Sequence, residues 1–499
     1  MRRIALPGAS GENRLGGSGA SDTHPIVNDV EHAEPLAGRL SQRNKQARAA
    51  RADTLTFRLV AAAWFLYLLA PAKLIEYYLP AARVLTWVNE LLLWICAIRW
   101  LRASLRKRSY PAYTFIFGLM ILGTVVAFVI GNWGFARATL RLMYQYYLLG
   151  LITITICSTP DRARTILRIY FAYFLWYGIW GLISLKVSPL SQYQDPGTRM
   201  IVFWHPEFDN RDAFGPLMVA GLAYSIYYFL AHGRPRSIGL ILSSIVSIVL
   251  CALGFVTSFG RGAFLGFIAV AVSMWLRSRR KVAALLAATA LSVAFVLLAP
   301  TLTARYLESM HTITEQGIEQ GTGEDRANIW SIAWREFLRS PIVGVGLNNF
   351  GIATQRVIAP DEYVGDFYTR ERLWGRSVHS TPLTIISEFG ILGAVAACVL
   401  VIDFFRTNRR IRERAAAASG RAAGPRDFPA EYLAAIALGL NAVFLAFCVS
   451  GLFYEIIYTS LYWVVLILNR MLYFASEECT ETSPQPAAEA AMPVGEAPT

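Results

Sequence analysis

Long apolar runs separated by short polar stretches dominate the sequence between residues 53 and 475. A transmembrane helix needs roughly 20 mainly apolar residues to cross a hydrocarbon layer about 30 Å thick. Twelve runs approach this length, so the pattern predicts an all-α polytopic membrane protein with about 12 transmembrane helices. The predicted spans are 55–80, 84–101, 111–131, 139–157, 165–186, 213–231, 237–257, 262–276, 282–300, 383–405, 430–451 and 456–474.

Composition supports this class and excludes several others. Of 499 residues, 55% are hydrophobic and 16% are charged, whereas soluble domains carry about 25% charged residues. A soluble enzyme, a disordered chain and a secreted disulfide scaffold are therefore excluded. Five of the six cysteines lie in or at the end of apolar runs, and no zinc-ligand spacing is present. We predict no metal site and no cofactor.

The net charge of +13 first suggests a nucleic-acid partner. Its distribution favours a membrane instead, because the basic clusters occupy short loops between apolar runs, and loops rich in Lys and Arg stay in the cytoplasm. We therefore expect no nucleic acid, both termini in the cytoplasm, and membrane lipids as the surroundings. The clusters are Arg102–Arg108, Arg162–Arg168, Arg277–Lys281 and Arg406–Arg414.

Three parts of the chain follow from this topology. Residues 1–52 and 476–499 are polar and are predicted to be disordered cytoplasmic tails, and residues 53–475 form the transmembrane domain. A long segment at 301–382 is predicted to face the periplasm and to be partly helical. We expect it to cover the outward mouth of the helix bundle.

One helix is predicted inside that outward segment, from Arg326 to Arg339, and Pro341 ends it. Its apolar residues recur at helical spacing and are expected to pack on the membrane domain or at the interface, with direct substrate contact as the alternative. They are Ile329, Trp330, Ala333, Trp334 and Phe337. The glycine-rich stretch at 344–351 follows, but it lacks the lysine and hydroxyl residue of a nucleotide loop.

Candidate chemistry lies in ionisable residues at the outward membrane boundary. Arg261 sits in a very short connection between two spans, so its guanidinium stays close to the mouth of the bundle. One interpretation is a snorkelling arginine that anchors a helix end. The other is a fork of donors for a membrane-bound diphosphate, which Gly260 and Gly262 would allow to approach the backbone.

His379 precedes the next span after the long outward segment. Most isolated histidines are structural or solvated, but an imidazole titrates near neutral pH and suits proton removal. Glu388, further along the same span, is interpreted as a structural residue. Arg199 is a third outward candidate, just before another span.

The order of three motifs resembles the O-antigen ligase and polymerase superfamily, over about residues 198–393. The motifs are SFGRGAFLG between two spans, RANIWSIAWREFLRSPIVGVGLNNFG in the outward loop, and HSTPLTIISEFGILG opening the next span. Two positions depart from the family pattern. Gly260 precedes Arg261 where the family often has serine, and Ser380 follows His379 where it often has asparagine.

The resemblance implies a glycosyltransferase C type fold in the bacterial inner membrane. It implies transfer of a polysaccharide from undecaprenyl diphosphate to a sugar hydroxyl of lipid A-core at the periplasmic face, without metal or ATP. The family's essential arginines and histidine map onto Arg199, Arg261 and His379, with Arg211 as an alternative to Arg199. Further candidate substrate-binding residues in the matching motifs are Gly260, Gly262, Arg326 and Asn348.

Three alternatives remain open at this point. An O-antigen polymerase and a protein O-oligosaccharyltransferase use the same donor with a different acceptor. A lipid-linked sugar transporter would move the carrier without forming a bond. Intramembrane polar residues such as Lys73 and Glu76 agree with a transporter, but no repeat of broken spans accompanies them.

Overall fold

The computed structural model describes most of the chain between residues 53 and 481. The described ranges are 53–69, 84–102, 107–130, 133–187, 211–232, 237–258, 260–278, 280–282, 322–362, 373–418 and 429–481, with single residues at 286, 297 and 304. The predicted span at 282–300 falls almost wholly outside them, and Arg199, residues 1–52 and residues 482–499 lie outside them entirely.

Helices form the described part of the chain, and no strand occurs within it. We number the long helices in chain order. They are α1 (53–69), α2 (Val84–Arg102), α3 (Pro111–Val129), α4 (Gly134–Ile156), α5 (Pro160–Val187), α6 (Arg211–Ala231), α7 (Ile238–Ser258), α8 (Arg261–Arg277), α9 (Thr322–Arg339), α10 (Thr381–Ala418), α11 (Ala430–Ser450) and α12 (Ser460–Glu481).

A helix accompanies each predicted span that falls on described residues. Among these residues, six helices are long and apolar enough to cross a membrane: α3, α5, α6, α7, α10 and α11. The all-helical membrane class is therefore confirmed, whereas the number of twelve spans stays a prediction. The domain boundaries at residues 52 and 475 stay predictions, and the described helix α12 runs from Ser460 to Glu481.

Close helix contacts depend on small residues. On α8, a Cβ added at Gly266 would lie 2.5 Å from the Oγ of Ser450 and 3.1 Å from the carbonyl oxygen of Ala446. Small residues let helix backbones approach in a bilayer, where burial of apolar area supplies no driving force between helices. The first half of α8 is therefore fixed against the end of α11.

The helix α10 is interrupted at Gly390, whose φ of 61° and ψ of −154° lie outside the helical region. The interruption frees backbone groups that need partners at membrane depth. The segment after α9 supplies them. Val345 and Gly346 donate to the carbonyls of Ser387 and Glu388 at 2.9 and 3.0 Å, and Ile391 donates to the carbonyl of Pro341 at 2.8 Å.

The helix predicted between Arg326 and Arg339 is confirmed, and it starts at Thr322. Its buried face differs from the predicted one, because Ile329, Ile332 and Ala333 are fully buried while Trp334 is 49% exposed. At 100° per residue, Trp334 lies about 140° around the helix axis from Ile329 and therefore on the side away from the buried stripe. Trp334 instead packs on Phe337, with ring centroids 5.1 Å apart.

We expect Gly390→Ala to destabilise the protein strongly. The φ and ψ of Gly390 lie in a region that is essentially open to glycine alone, and occupying it costs other residues on the order of 1–3 kcal/mol. The Cβ of alanine would also lie 2.4 Å from the carbonyl carbon of Ile342. The measurement is the thermal unfolding temperature in detergent. Gly118→Ala in α3 is the matched control, because nothing lies within 4 Å of that Cβ position. Equal unfolding temperatures for both variants would contradict the packing described here.

Candidate functional site

The connection from α11 to α12 holds the starts of two other helices. We call residues 450–456 the clasp turn. Ser450 donates from its Oγ to the carbonyl of Gly262 at 3.0 Å. The backbone N–H of Thr381 donates to the carbonyl of Gly451 at 2.7 Å. The first turns of α8 and α10 therefore lie at the same end of the bundle, on either side of the clasp turn.

A second pair of hydrogen bonds strengthens the link to α10. The Thr381 hydroxyl donates to the carbonyl of Tyr454 at 2.8 Å and accepts from the N–H of Ile456 at 2.9 Å. One threonine hydroxyl thus satisfies a donor and an acceptor of the irregular clasp turn, as buried backbone groups require. His379 lies two residues before Thr381, and its backbone position is set by this attachment.

The helix α9 reaches the same place. Trp330 packs on Phe453 of the clasp turn, with ring centroids 6.2 Å apart. Arg326 lies four residues before Trp330 and therefore one turn away on the same helix face. Three of the predicted site residues, Arg261, Arg326 and His379, are brought to one end of the molecule by the clasp turn.

Arg261 is the first residue of α8, and its side chain is half-buried. Gly260, the N-cap residue, supplies no side-chain hydrogen bond to the first turn. The first N–H groups of a helix and its dipole favour negative charge at this position. The guanidinium of Arg261 and the N-terminus of α8 therefore both favour the binding of an anion at this position.

Packing against the clasp turn does not by itself require a glycine at position 262. A Cβ at this position would lie 3.4 Å from the carbonyl oxygen of Ser450 and 3.5 Å from the Cβ of Phe453. Both distances are ordinary van der Waals contacts. Direct ligand contact by Gly260 and Gly262 stays a prediction.

His379 has a backbone φ of 56°, in the left-handed region. Its neighbours hold it there, since Val378 is fully buried and Ser380 is 4% exposed. The carbonyl of Ser380 also accepts the N–H of Thr384 at 2.9 Å as α10 begins. Such conformations cost energy in residues other than glycine and cluster at functional sites. The His379 ring is half-buried at the mouth of α10.

Glu455 belongs to the clasp turn and was missed by the sequence analysis. Its carboxylate is hydrogen-bonded to the side chains of Ser377 and Thr384, which flank His379 in the sequence. Burial raises the pKa of Glu455 despite these two bonds. A lone acid inside the apolar stretch Leu452–Tyr458 is a signal that could have found it.

Glu388 has the structural role predicted for it. Only 2% of the residue is exposed. Its carboxylate accepts from the N–H of Asn348 at 2.7 Å, from the N–H of Phe350 at 3.2 Å and from the hydroxyl of Tyr458. It therefore joins the glycine-rich stretch to both α10 and the end of the α11–α12 connection.

Asn348 is part of this same network. Its φ is 46°, and its side-chain Nδ2 donates to the Oγ1 of Thr139 on α4 at 2.8 Å. The described bonds of Asn348 hold the glycine-rich stretch in place, and substrate contact by this residue stays a prediction.

Arg211 opens α6. One turn later, a Cβ added at Gly215 would lie 2.7 Å from the Cβ of Ala263 and from the Oγ of Ser258. The start of α6 therefore packs against the start of α8, which puts the backbone of Arg211 near that of Arg261. Arg199 lies outside the described residues, so the choice between Arg199 and Arg211 as the second cation stays a prediction.

The arrangement combines groups that suit one type of chemistry. An arginine at a helix N-terminus attracts an anion, and an imidazole, which titrates near neutral pH, suits proton transfer. Within the described residues, no group of three or more His, Cys, Asp or Glu side chains is placed to hold a metal ion.

Comparison with known proteins identifies one family. Residues 246–398 match the family described as O-antigen ligase (Wzy_C). No curated protein matches the chain. The matched segment covers less than half of the chain but includes Arg261, α9, the glycine-rich stretch and His379. Together with the apolar helices, the match indicates a multi-pass bacterial membrane protein. The resemblance predicted from the order of motifs is confirmed over residues 246–398, which are similar to the O-antigen ligase family.

Proposed function

We propose that this protein is an O-antigen ligase of the bacterial inner membrane. It transfers a polysaccharide from undecaprenyl diphosphate to a sugar hydroxyl of lipid A-core at the periplasmic face, with inversion at the anomeric carbon and without a metal. The observation that carries the proposal is the attachment of the α8 and α10 starts to one clasp turn. This attachment supports the proposal because Arg261 begins α8 and His379 lies two residues before Thr381, the first residue of α10.

The arginine end of the site neutralises the departing diphosphate. Negative charge grows on the diphosphate as the glycosidic carbon–oxygen bond breaks, and a metal-free enzyme must balance it with protein cations and backbone dipoles. Arg261 at the uncapped start of α8 supplies a guanidinium together with helix N–H groups. Arg211 and Arg326, both on helices that reach the same region, are the additional cations.

His379 activates the acceptor. Its imidazole removes the proton from the attacking sugar hydroxyl, opposite to the leaving diphosphate, which inverts the anomeric centre. Glu455 bonds the side chains of Ser377 and Thr384 on either side of His379. We assign it the task of fixing the histidine segment and of stabilising the imidazolium once the proton has moved.

The acceptor separates the ligase from its nearest alternatives. We expect purified protein supplied with carrier-linked polysaccharide to consume lipid A-core and not carrier-linked repeat units or a pilin-like protein. Gel analysis of radiolabelled donor in three parallel reactions measures this. Repeat-unit or pilin transfer would identify a polymerase or a protein glycosyltransferase instead, and transfer by detergent-solubilised protein would dismiss a transporter.

We expect Arg261→Ala to lower kcat/KM for the donor by about 10²- to 10³-fold, as the loss of one transition-state donor does. Arg261→Lys should recover only part of this, because ammonium keeps the charge but loses the fork. Arg277→Ala is the matched control, since Arg277 lies at the opposite end of α8 and is exposed at its surface. Normal donor turnover by both Arg261 variants would remove the clamp from the mechanism.

Two variants of His379 separate chemistry from folding. His379→Ala and His379→Gly should both lower transfer by about 10²- to 10⁴-fold through loss of the base. Glycine also relieves a left-handed conformation that costs other residues about 1–2 kcal/mol. The thermal unfolding temperature of His379→Gly should therefore equal or exceed that of the wild type. A stable His379→Gly protein with full transfer activity would exclude histidine as the base.

A further inference from the structure

A cavity of about 380 Å³ lies beside α9, apart from the clasp turn. Its size falls in the range of small-molecule sites, roughly 300–1,000 Å³. Four elements form it: the end of α9, the glycine-rich stretch, the short helical segment after it, and the end of α3. The lining residues are Ile130, Glu336, Arg339, Ser340, Val345, Ala353, Arg356 and Val357.

Glu336 is the unusual member of this lining. The residue is fully buried. Neither carboxylate oxygen has a hydrogen-bond partner among the described residues. Burial and the nearby Glu388 raise the pKa of Glu336 well above its ordinary value. Buried polar groups are nearly always hydrogen-bonded, so an orphaned carboxyl group on a cavity wall indicates a missing partner.

The arginines of the cavity are already held in position. Arg339 donates to the carbonyl of Arg356, and Arg356 donates to the carbonyl of Ile130 at 2.6 Å. A guanidinium has five N–H donors in a rigid fork, so each arginine keeps further donors beyond the bond described. The cavity therefore offers acceptors from Glu336 and donors from the arginines, with the Ser340 hydroxyl nearby.

We propose that this cavity binds one sugar residue of a glycan substrate, through hydroxyl groups that pair with Glu336. A sugar ring presents both hydroxyl donors and acceptors around an apolar C–H face, and the lining matches this mixture. Ile130, Val345 and Val357 supply the apolar wall. The inference rests on the proposed function, because it assigns a subsite to the glycan that the site transfers.

The position of the cavity suits such a subsite. Glu336 lies six residues after Trp330, or about 9 Å along α9. Trp330 packs on the clasp turn. A glycan whose reacting sugar lies at His379 and Arg261 therefore reaches the cavity within a few sugar residues. That sugar belongs either to the donor polysaccharide or to the core oligosaccharide of the acceptor. A variant that disrupts the cavity distinguishes the two sources, because only the glycan that binds there loses affinity.

Glu336→Leu tests the proposal in the full-length protein in nanodiscs. Binding of two lipid-free oligosaccharides, one from the donor repeat and one from the core, is measured by saturation-transfer NMR titration. Leucine removes an orphaned buried carboxyl group, so the unfolding temperature should equal or exceed that of the wild type. The Kd for one of the two oligosaccharides should rise about 10- to 100-fold, because the sugar hydroxyl groups lose their buried hydrogen-bond partner.

The controls keep the result interpretable. Glu362→Leu removes a carboxylate from the same outward segment, where Glu362 pairs with Arg335 at 2.8 Å near the surface, and should leave both Kd values unchanged. If Glu336→Leu does not fold, Val357→Phe replaces it, because this half-buried position lets a ring fill the cavity from its edge. Val357→Phe should weaken the same oligosaccharide by a similar factor.

The failure of the proposal is distinguishable from failure of the ligase assignment. Folded Glu336→Leu or Val357→Phe protein that binds both oligosaccharides with wild-type Kd overturns the subsite, whatever the transfer assay shows. Conversely, Glu336-dependent glycan binding by a wild-type protein that transfers nothing to lipid A-core overturns the ligase reaction and leaves the subsite standing.

Discussion

The interruption of α10 at Gly390 is the constraint on which the site depends. A helix that loses its regular bonds at membrane depth must find new partners for each freed group, because lipid offers none. Residues 341–346 provide them, through bonds to Ser387, Glu388 and Ile391. The glycine-rich stretch therefore cannot move away from α10 without exposing unpaired backbone groups, and α9, which directly precedes it, is held as well.

Glu388 extends this constraint from the backbone to the rest of the site. Its carboxylate accepts hydrogen bonds from two N–H groups of the glycine-rich stretch and from the hydroxyl of Tyr458. Tyr458 follows the clasp turn by two residues, so the same carboxylate anchors the outward segment and the connection that holds α8. The backbones of the glycine-rich stretch and of α10 lie so close together that position 344 requires glycine, since a Cβ there would lie 2.2 Å from the carbonyl carbon of Glu388.

Sequence patterns predicted the elements better than the contacts between them. Apolar runs, Pro341 and the helical spacing after Arg326 gave α9 and the membrane helices, because burial in lipid or protein imposes a local periodicity. Arg261 and His379 were selected as candidates because ionisable groups at a membrane boundary are rare, and their roles stay predictions. The contacts of the clasp turn and of Glu455, and the choice of the buried face of α9, depend on residues that are distant in sequence. A local sequence pattern therefore contains no information on them.

The polar groups near the two ends of α10 differ in how they are paired. Near its C-terminal end, charges are paired: Arg414 bonds Glu477 at 2.9 Å, and Arg108 approaches the same carboxylate at 3.5 Å. About 50 Å away at 1.5 Å per residue, the end that carries His379 keeps a left-handed histidine, an uncapped start of α8 and an orphaned Glu336. Each of these lowers stability unless something else binds there. Unpaired buried polar atoms also occur toward the C-terminal end of α10, at Asn408 Oδ1 and Arg412 Nε, so incomplete pairing does not by itself locate a substrate site. What distinguishes the His379 end is a left-handed histidine beside a helix start that favours an anion, and this combination is the reason why the proposed function places glycan chemistry there.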